Sequence, residues 1–251
     1  MSMAQVRHLM QELRLHGMAN SLEKNLEEAR KDDWTLEELM DALLQAEAEF
    51  RDRRKVQNRI RASKLRQQAS FEDYDFTAKR SLTKAQLKEI YSLKWLEAGR
   101  PLILVGQTGV GKSFLAQATG LHACQNGKSA LFLSMSHFLE QVALARSTGT
   151  YLKFREKMIK PDLLVLDDFG MRKFTVMEAE DLREICEERS YGKSTMITTQ
   201  LPISHWAEVL PDPVLAEAIK DRFEGPGLVV TITGESYRPR KAKVAAEEKA
   251  G

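Results

Sequence analysis

The residues with the clearest chemistry form one octapeptide near the middle of the chain, Gly106-Gln107-Thr108-Gly109-Val110-Gly111-Lys112-Ser113. This sequence is typical of a phosphate-binding loop, because its glycines let several backbone N–H groups point inward at phosphate oxygens. Lys112 adds a positive charge for the β- and γ-phosphates, and Ser113 offers a hydroxyl ligand for Mg²⁺. The octapeptide therefore predicts a nucleotide-binding site.

The segments on either side of the octapeptide support this interpretation. Leu102–Val105 is an apolar run typical of a buried strand, and the segment from Phe114 to Gln125 reads as a helix. A helix that begins at the loop directs its positive dipole end at the phosphates. We include Phe114, the first residue of this predicted helix, among the nucleotide-binding residues.

Two carboxylates follow a second apolar run. Leu163–Leu166 predicts a strand, and Asp167 and Asp168 come directly after it. Ligands of doubly wound sheets gather at the carboxyl ends of the strands, so both aspartates should lie beside the phosphates. We expect Asp167 to support Mg²⁺ with Ser113, and Asp168 to orient or deprotonate an attacking water. Paired acids after a strand are also common as helix caps, which is the structural alternative.

The spacing of the two motifs favours ATP over GTP. One predicted strand and one predicted helix lie between the loop and Asp167. This arrangement is typical of ATPases whose sheet has a strand inserted between the two motif strands. The sequence has no Asn-Lys-x-Asp segment of the kind that reads guanine. The expected ligands are therefore ATP and Mg²⁺.

Two more polar residues are candidates for the catalytic machinery. Gln200 follows the fourth predicted strand and could reach the γ-phosphate and the water; an ordinary strand-end turn is the alternative. Arg222 lies near the end of a predicted helix and could contact the nucleotide of a neighbouring subunit. A surface salt bridge from Arg222 to Glu217 or Glu224 is the alternative there.

From Ser81 onward strands and helices alternate, which predicts a three-layer α/β fold with a parallel five-stranded sheet and helices on both faces. The predicted strands are Leu102–Val105, Ala130–Leu133, Leu163–Leu166, Thr195–Thr198 and Leu228–Ile232. The predicted helices are Lys84–Leu96, Phe114–Gln125, His137–Arg146, Val176–Arg189 and one that runs from about Pro213 to Phe223.

A smaller all-helical domain is predicted before this sheet. A first amphipathic stretch extends to Leu15 and is interrupted by Gly17. A second runs from Met18 to Arg30, and a third begins with a capping box at Thr35. Ser70–Phe76 breaks the helical pattern. We therefore predict a helical domain over residues 1–68, an ATPase domain over 69–238 and a polar tail over 239–251.

Charge is sharply divided within the helical part. Residues 20–50 carry ten acidic and three basic side chains, whereas residues 51–66 carry eight basic side chains against Asp52 alone. A solvated helical face balanced by the acidic one is the structural alternative. Because the basic residues fall on nearly every side of the helix, one partner face cannot neutralise them all, and the other interpretation is DNA contact through Arg51, Arg53, Arg54, Lys55, Arg59, Arg61, Lys64 and Arg66.

Overall composition indicates a folded protein of the cytoplasm. The chain has 251 residues, 43% hydrophobic, with a net charge of +2 and two cysteines, Cys124 and Cys186, expected to be buried thiols. No apolar run approaches the ~20 residues that span a bilayer, so no membrane contact is expected.

The chain resembles the IstB/DnaC group of AAA+ ATPases, and more closely the IstB-like transposition helpers of bacterial insertion sequences. The resemblance covers nearly the full length. It rests on the phosphate loop and on the segments Leu13–Ala19, Ala69–Phe76, Leu166–Gly170, Thr198–Pro202 and Thr233–Arg238.

The resemblance implies an ATP-dependent DNA-binding ATPase that forms homo-oligomers on duplex DNA and cooperates with a partner transposase. It also implies a sensor role for Gln200, an intersubunit finger role for Arg222 and a nucleotide contact for Arg238. Many AAA+ proteins have Glu where this chain has Asp168, which suggests slow turnover. A DnaC-like helicase loader and a nucleotide switch without hydrolysis are the alternatives.

Overall fold

The computed structural model describes residues 2–65, 69–78 and 80–237. The chain divides into two compact units, residues 1–58 and 59–251. The predicted domain limits at residues 68 and 238, and the predicted tail over 239–251, fall on or beside residues outside the described ranges.

The first unit is helical, as predicted. It contains α1 (Met3–Glu12), α2 (His16–Lys31) and the larger part of α3 (Leu36–Ala62), with a small apolar core of Met18, Leu22 and Leu43. The break between helices α1 and α2 lies at Leu13–Leu15, where Arg14 has a φ of 60°, and not at Gly17 as the sequence predicted.

Gly17 has a packing role inside α2. A Cβ at this position would lie 2.4 Å from the carbonyl oxygen of Ala46, so only glycine allows this approach of α2 to α3. The buried carboxylate of Glu47 accepts hydrogen bonds from the backbone N–H groups of Gly17 (2.6 Å) and Met18 (3.2 Å). These bonds satisfy orphan donors at the start of α2. Burial raises the pKa of Glu47, but the hydrogen bond from Arg51 and these two backbone bonds together hold that pKa below its ordinary value.

The second unit contains a five-stranded, wholly parallel sheet, and the predicted fold class is confirmed. Its strands are β1 (Leu102–Gly106), β2 (Ala130–Ser134), β3 (Leu163–Phe169), β4 (Ser194–Thr199) and β5 (Leu228–Ile232). Their spatial order is β2-β3-β4-β1-β5. As predicted, one strand, β4, lies between the strand before the phosphate loop and the strand before the aspartates.

Helices cover both faces of the sheet, because alternate strand residues point to opposite sides. Ile103, Leu164 and Ile197 belong to one buried cluster, whereas Leu104, Val165 and Met196 belong to the other. The helices of this unit are α4 (Lys84–Tyr91), α5 (Lys94–Glu97), α6 (Lys112–Gln125), α7 (Met135–Ser147), α8 (Tyr151–Ile159), α9 (Val176–Arg189) and α10 (Pro213–Glu224), with a 3-10 helix over Ile203–Glu208.

Two features of this unit differ from the sequence prediction. The single helix predicted over Lys84–Leu96 is broken at Leu93, whose φ of 55° ends α4 and starts α5. The indole N–H of Trp95 donates to the carbonyl of Ile90 at 3.1 Å, and Leu93, Trp95 and Leu96 are buried in the same cluster as Leu104, so a local bond and tertiary packing stabilise the break. Helix α8 was not predicted, because only Phe154 and Met158 on it are buried.

Arg189, at the end of α9, is a fully buried cation that joins several segments of the second unit. Its guanidinium donates to the hydroxyl of Thr195 at 2.9 Å and also to five backbone carbonyls. These belong to Met158 (2.8 Å), Ile159 (3.1 Å), Pro161 (2.9 Å), Asp162 (3.4 Å) and Ser194. Burial lowers the pKa of Arg189 to about 10, so the side chain is still charged at neutral pH.

Replacement of Arg189 should strongly destabilise the fold. In Arg189→Met the apolar volume is kept but buried carbonyls lose their donor, and we expect a loss of about 3 kcal/mol or more in the free energy of unfolding. Arg183→Met on the same helix is the control: within the described residues its guanidinium makes one partly exposed ion pair, with Glu187, so we expect a change below about 1 kcal/mol. Urea unfolding followed by circular dichroism measures both. Equal midpoints for the two variants would contradict the role assigned to Arg189.

Candidate nucleotide site

The phosphate loop connects β1 to α6 and depends on glycine at three positions. Gly109 and Gly111 have φ values of 88° and 102°, a left-handed backbone that glycine adopts without strain. At Gly106 a Cβ would lie 2.2 Å from the carbonyl oxygen of Ile232 on β5. The sequence of the loop therefore sets its backbone shape, and α6 begins at Lys112, directly behind it.

Lys112 is held at the loop by its own backbone. The side chain is 5% exposed, and its ammonium group donates to the carbonyls of Gly106 at 2.7 Å and Gln107 at 2.9 Å. These bonds place a buried positive charge at the N-terminal end of α6, where the helix dipole also favours an anion.

Asp167 lies at the carboxyl end of β3 and is 7% exposed. Its carboxylate accepts a hydrogen bond from the hydroxyl of Thr198 on β4 and is hydrogen-bonded to Ser113. Burial, together with the neighbouring charge of Asp168, raises the pKa of Asp167, while the two hydroxyls and Lys112 oppose this shift. A buried carboxylate beside a serine hydroxyl is a set of hard oxygen donors, which suits Mg²⁺.

Asp168 has an unusual backbone and an exposed side chain. Its φ is 62°, in the left-handed region that few residues other than glycine adopt. The pairing of β3 with β4 shifts register between Leu166 and Phe169, and Asp168 lies inside this irregularity. Its backbone N–H donates to the hydroxyl of Thr198 at 3.0 Å. The two aspartates therefore face different environments, Asp167 buried and Asp168 open to solvent.

The contact from β4 to the acidic pair is made by Thr198. The exposed amide of Gln200 donates to the sulfur of Met171 at 3.3 Å. The sensor role of Gln200 stays a prediction. Thr198 was not singled out from the sequence, because only the pairing of β3 with β4 reveals which side chain of this segment meets Asp167.

Arg222 pairs with an acid that the sequence did not suggest. Its guanidinium donates to the carboxylate of Glu187 on α9 at 2.7 Å, and the side chain is 38% exposed. Glu217 and Glu224, the partners considered from sequence, lie beside Lys220 at 3.1 and 3.9 Å. The hydrogen bond to Glu187 raises the pKa of Arg222 above its ordinary value.

Arg80 and Tyr237 contact the phosphate loop but were not among the predicted site residues. The guanidinium of Arg80 donates to the carbonyl of Val110 at 3.2 Å and lies over the ring of Tyr74, 4.2 Å from its centroid. The backbone N–H of Tyr237 donates to the carbonyl of Gly109 at 2.9 Å. Tyr237 lies in the segment Thr233–Arg238 that carries the family resemblance, which could have pointed to it, whereas Arg80 lies in none of the motif segments. Arg238, the predicted nucleotide contact, lies outside the described residues.

The predicted DNA-binding residues differ in how their charges are matched. Within the first unit, Arg51 lies 2.7 Å from Glu47, Arg53 lies 3.7 Å from Glu49 and Lys55 lies 2.9 Å from Asp52. Among the described residues, no ion pair involves the remaining basic side chains, Arg54, Arg59, Arg61 and Lys64. Arg66 lies outside the described residues.

The strand order, the phosphate loop and the acidic end of β3 define the second unit as a P-loop ATPase domain of the AAA+ type. A model of the family described as IstB-like ATP-binding protein matches residues 8–245. The chain therefore belongs to the IstB-like ATP-binding proteins, a family of AAA+ ATPases, and the predicted family and ATPase class are confirmed.

Individual relatives agree with this assignment. The chain is 35% identical over 237 residues to an ATP-binding protein in an insertion sequence of Mycobacterium tuberculosis, covering 94% of each chain. It is 35% identical over 224 residues to an insertion sequence ATP-binding protein of Sinorhizobium fredii, covering 89% of this chain and 91% of the relative. Among solved structures, the DnaC helicase loader has a TM-score of 0.56 at 23% identity, covering 66% of this chain and 97% of the loader. That likeness shows the fold.

Within the described ranges, every helix is either too short or too polar to cross a bilayer.

Removal of the Lys112 ammonium should weaken nucleotide binding without unfolding the chain. For Lys112→Ala we expect a roughly 10- to 100-fold higher Kd for ATP, because a hydrogen bond to a charged group contributes about 1.5–3 kcal/mol. Titration with a fluorescent ATP analogue measures the affinity. Lys153→Ala, which removes an exposed lysine on α8, is the control and should bind as the wild type does. Undiminished affinity in Lys112→Ala would contradict the site.

Proposed function

We propose that this protein is an ATP-dependent DNA-binding ATPase that oligomerises on duplex DNA and assists a partner transposase in insertion-sequence transposition. The observation that carries the proposal is the family match over residues 8–245, which includes the helical first unit as well as the ATPase domain. The relatives from Mycobacterium tuberculosis and Sinorhizobium fredii, matched over about nine-tenths of their length, are named as proteins of insertion sequences.

Hydrolysis would proceed between the loop and the end of β3. The loop N–H groups and Lys112 would bind the triphosphate, and Ser113 with Asp167 would hold Mg²⁺, which would neutralise phosphate charge when bound. The exposed carboxylate of Asp168 orients the attacking water. Since its side chain is one methylene shorter than glutamate, we expect slow turnover. Gln200 is assigned to sensing the γ-phosphate.

DNA contact is assigned to the basic end of α3 and the residues after it. The side chains of Arg54, Arg59, Arg61 and Lys64 are the best suited, because no ion pair within the described ranges engages them. Arg51 instead contacts the buried carboxylate of Glu47, so its replacement would also disturb the first unit. Phosphate contacts of this kind release counterions, which makes binding depend on salt.

A triple substitution tests the DNA contact. In Arg54→Ala/Arg61→Ala/Lys64→Ala we expect weaker binding to duplex DNA. The slope of log K against log salt concentration should also become shallower by about 2 to 3 units, because each lost phosphate contact removes about 0.9 from the slope. Fluorescence anisotropy at several salt concentrations measures both quantities. The charge-matched control is Lys84→Ala/Lys88→Ala/Lys94→Ala, three exposed lysines of α4 and α5. Equal salt-dependence slopes in the two triple variants would contradict the assignment of DNA contact to these residues.

Assembly is assigned to a site shared between neighbouring subunits, with Arg222 reaching the nucleotide of the next chain. Arg222→Ala should lower the rate of ATP hydrolysis by about 10³-fold or more if the guanidinium stabilises the transition state. Lys112→Ala should also be inactive, but it keeps an intact Arg222. A mixture of the two variants forms some interfaces with both groups present, so we expect hydrolysis above that of either variant alone.

The control for the mixing experiment is Glu187→Gln, which breaks the ion pair within the chain and keeps Arg222. It should remain active. If Glu187→Gln were as inactive as Arg222→Ala, and the mixture recovered nothing, Arg222 would act only as an internal ion pair. Sedimentation with and without ATP and duplex DNA measures the accompanying change in oligomeric state.

A DnaC-like helicase loader is the second candidate, favoured by the fold likeness to that protein. A loader would prefer single-stranded DNA and would co-purify with a hexameric helicase. Competition between single-stranded and duplex DNA of equal length separates the two functions: a clear preference for duplex supports the transposition role.

A further inference from the structure

Thr198 is a fully buried residue of β4 whose hydroxyl contacts both acidic residues of the nucleotide site. It donates a hydrogen bond to the Oδ1 atom of Asp167 and accepts one from the backbone N–H of Asp168 at 3.0 Å. We propose that Thr198 is a positioning residue for ATP hydrolysis, which sets the orientation of both aspartates. This inference rests on the ATPase mechanism proposed above.

The chemistry of the three groups fixes the direction of both hydrogen bonds. A backbone N–H can only donate, so the Thr198 oxygen accepts from Asp168. The single hydroxyl hydrogen is then directed to Asp167, whose carboxylate accepts it. One side chain therefore ties the buried carboxylate and the adjacent backbone to the same point on β4. Because threonine is β-branched, its χ1 angle is restricted, and the hydroxyl is held stiffly.

The contact matters because the backbone of Asp168 is in an unfavourable conformation. Its φ of 62° costs a non-glycine residue free energy and persists only where neighbouring groups hold it. The hydrogen bond to Thr198 lies at the point where β3 and β4 shift register. It keeps Asp167 turned inward to Ser113 while Asp168 faces solvent. Without it, the backbone can relax and both carboxylates can move.

The neighbouring Thr199 provides a matched control. It is also fully buried in β4, and its hydroxyl donates to the carbonyl of Phe169 at 3.0 Å. It also accepts from the backbone N–H of Leu201 at 2.9 Å. Both threonines thus join β4 to neighbouring backbone, but within the described part of the chain only Thr198 of the two is hydrogen-bonded to the carboxylate of Asp167. A loss specific to Thr198 would therefore report positioning and not strand stability.

The experiment measures steady-state ATP hydrolysis with saturating duplex DNA, together with the Kd of ATP. Thr198→Val keeps the shape and removes the hydroxyl. We expect kcat to fall roughly 10- to 100-fold, the range typical of groups that orient metal ligands, while the KM and Kd for ATP change little. Thr198→Ser keeps the hydroxyl and should recover most of kcat. Thr199→Val should retain most of the wild-type kcat, even where its melting temperature falls.

A second pair keeps the test decisive if Thr198→Val does not fold. Thr198→Ser and Thr198→Ala both lack the methyl group and differ in the hydroxyl, so a lower kcat in the alanine variant alone supports the inference. Equal kcat in both, or a loss in Thr199→Val as large as in Thr198→Val, would overturn it while the wild type still hydrolyses ATP. A wild type that binds DNA and ATP without hydrolysis would overturn the proposed mechanism and the inference together.

Discussion

The buried carboxylate of Asp167 is the interaction on which the nucleotide site depends. An ionised carboxylate out of water is costly unless hydrogen bonds or opposite charges compensate it. Here the hydroxyls of Ser113 and Thr198 and the charge of Lys112 oppose the rise in its pKa that burial causes. These groups come from the loop after β1 and from β4, so the compensation exists only when β4 lies between β1 and β3. The strand order is therefore a requirement of the site as well as of the core.

The sequence predicted the features that depend on local pattern. The backbone shape of the phosphate loop follows from Gly109 and Gly111, which adopt positive φ values. Strand β5 and helix α9 have the predicted bounds, because apolar spacing and a capping box define them. The contacts of Thr198 and Arg80 could not be predicted, because they depend on which strands pair and on where residues distant in sequence meet. The break at Leu93 was missed for the same reason: tertiary packing overrides a helical pattern.

A count of the basic residues in the segment 51–66 overstates how many of their side chains are available to bind a ligand. The segment over residues 51–66 has eight basic residues, but three of them lie beside acids one helical turn away. For Arg53 and Lys55 these pairs are exposed and can exchange for phosphate at little cost. Arg51 is different, because Glu47 is buried and also satisfies the start of α2. The first unit therefore uses part of the basic segment to hold itself together, which a count of residues does not reveal.

The pairing of Arg222 with Glu187 gives a physical reason why hydrolysis would depend on assembly. In the single chain the guanidinium has an acidic partner on α9, so it is held within its own subunit. A neighbouring triphosphate carries more negative charge than one carboxylate and would compete for the same donors. Because the pair is partly exposed, its exchange for phosphate loses little. An arginine held in this way would keep a defined orientation before the proposed assembly and would become available only where a nucleotide-loaded neighbour lies within reach. Assembly and transition-state stabilisation would then be one event.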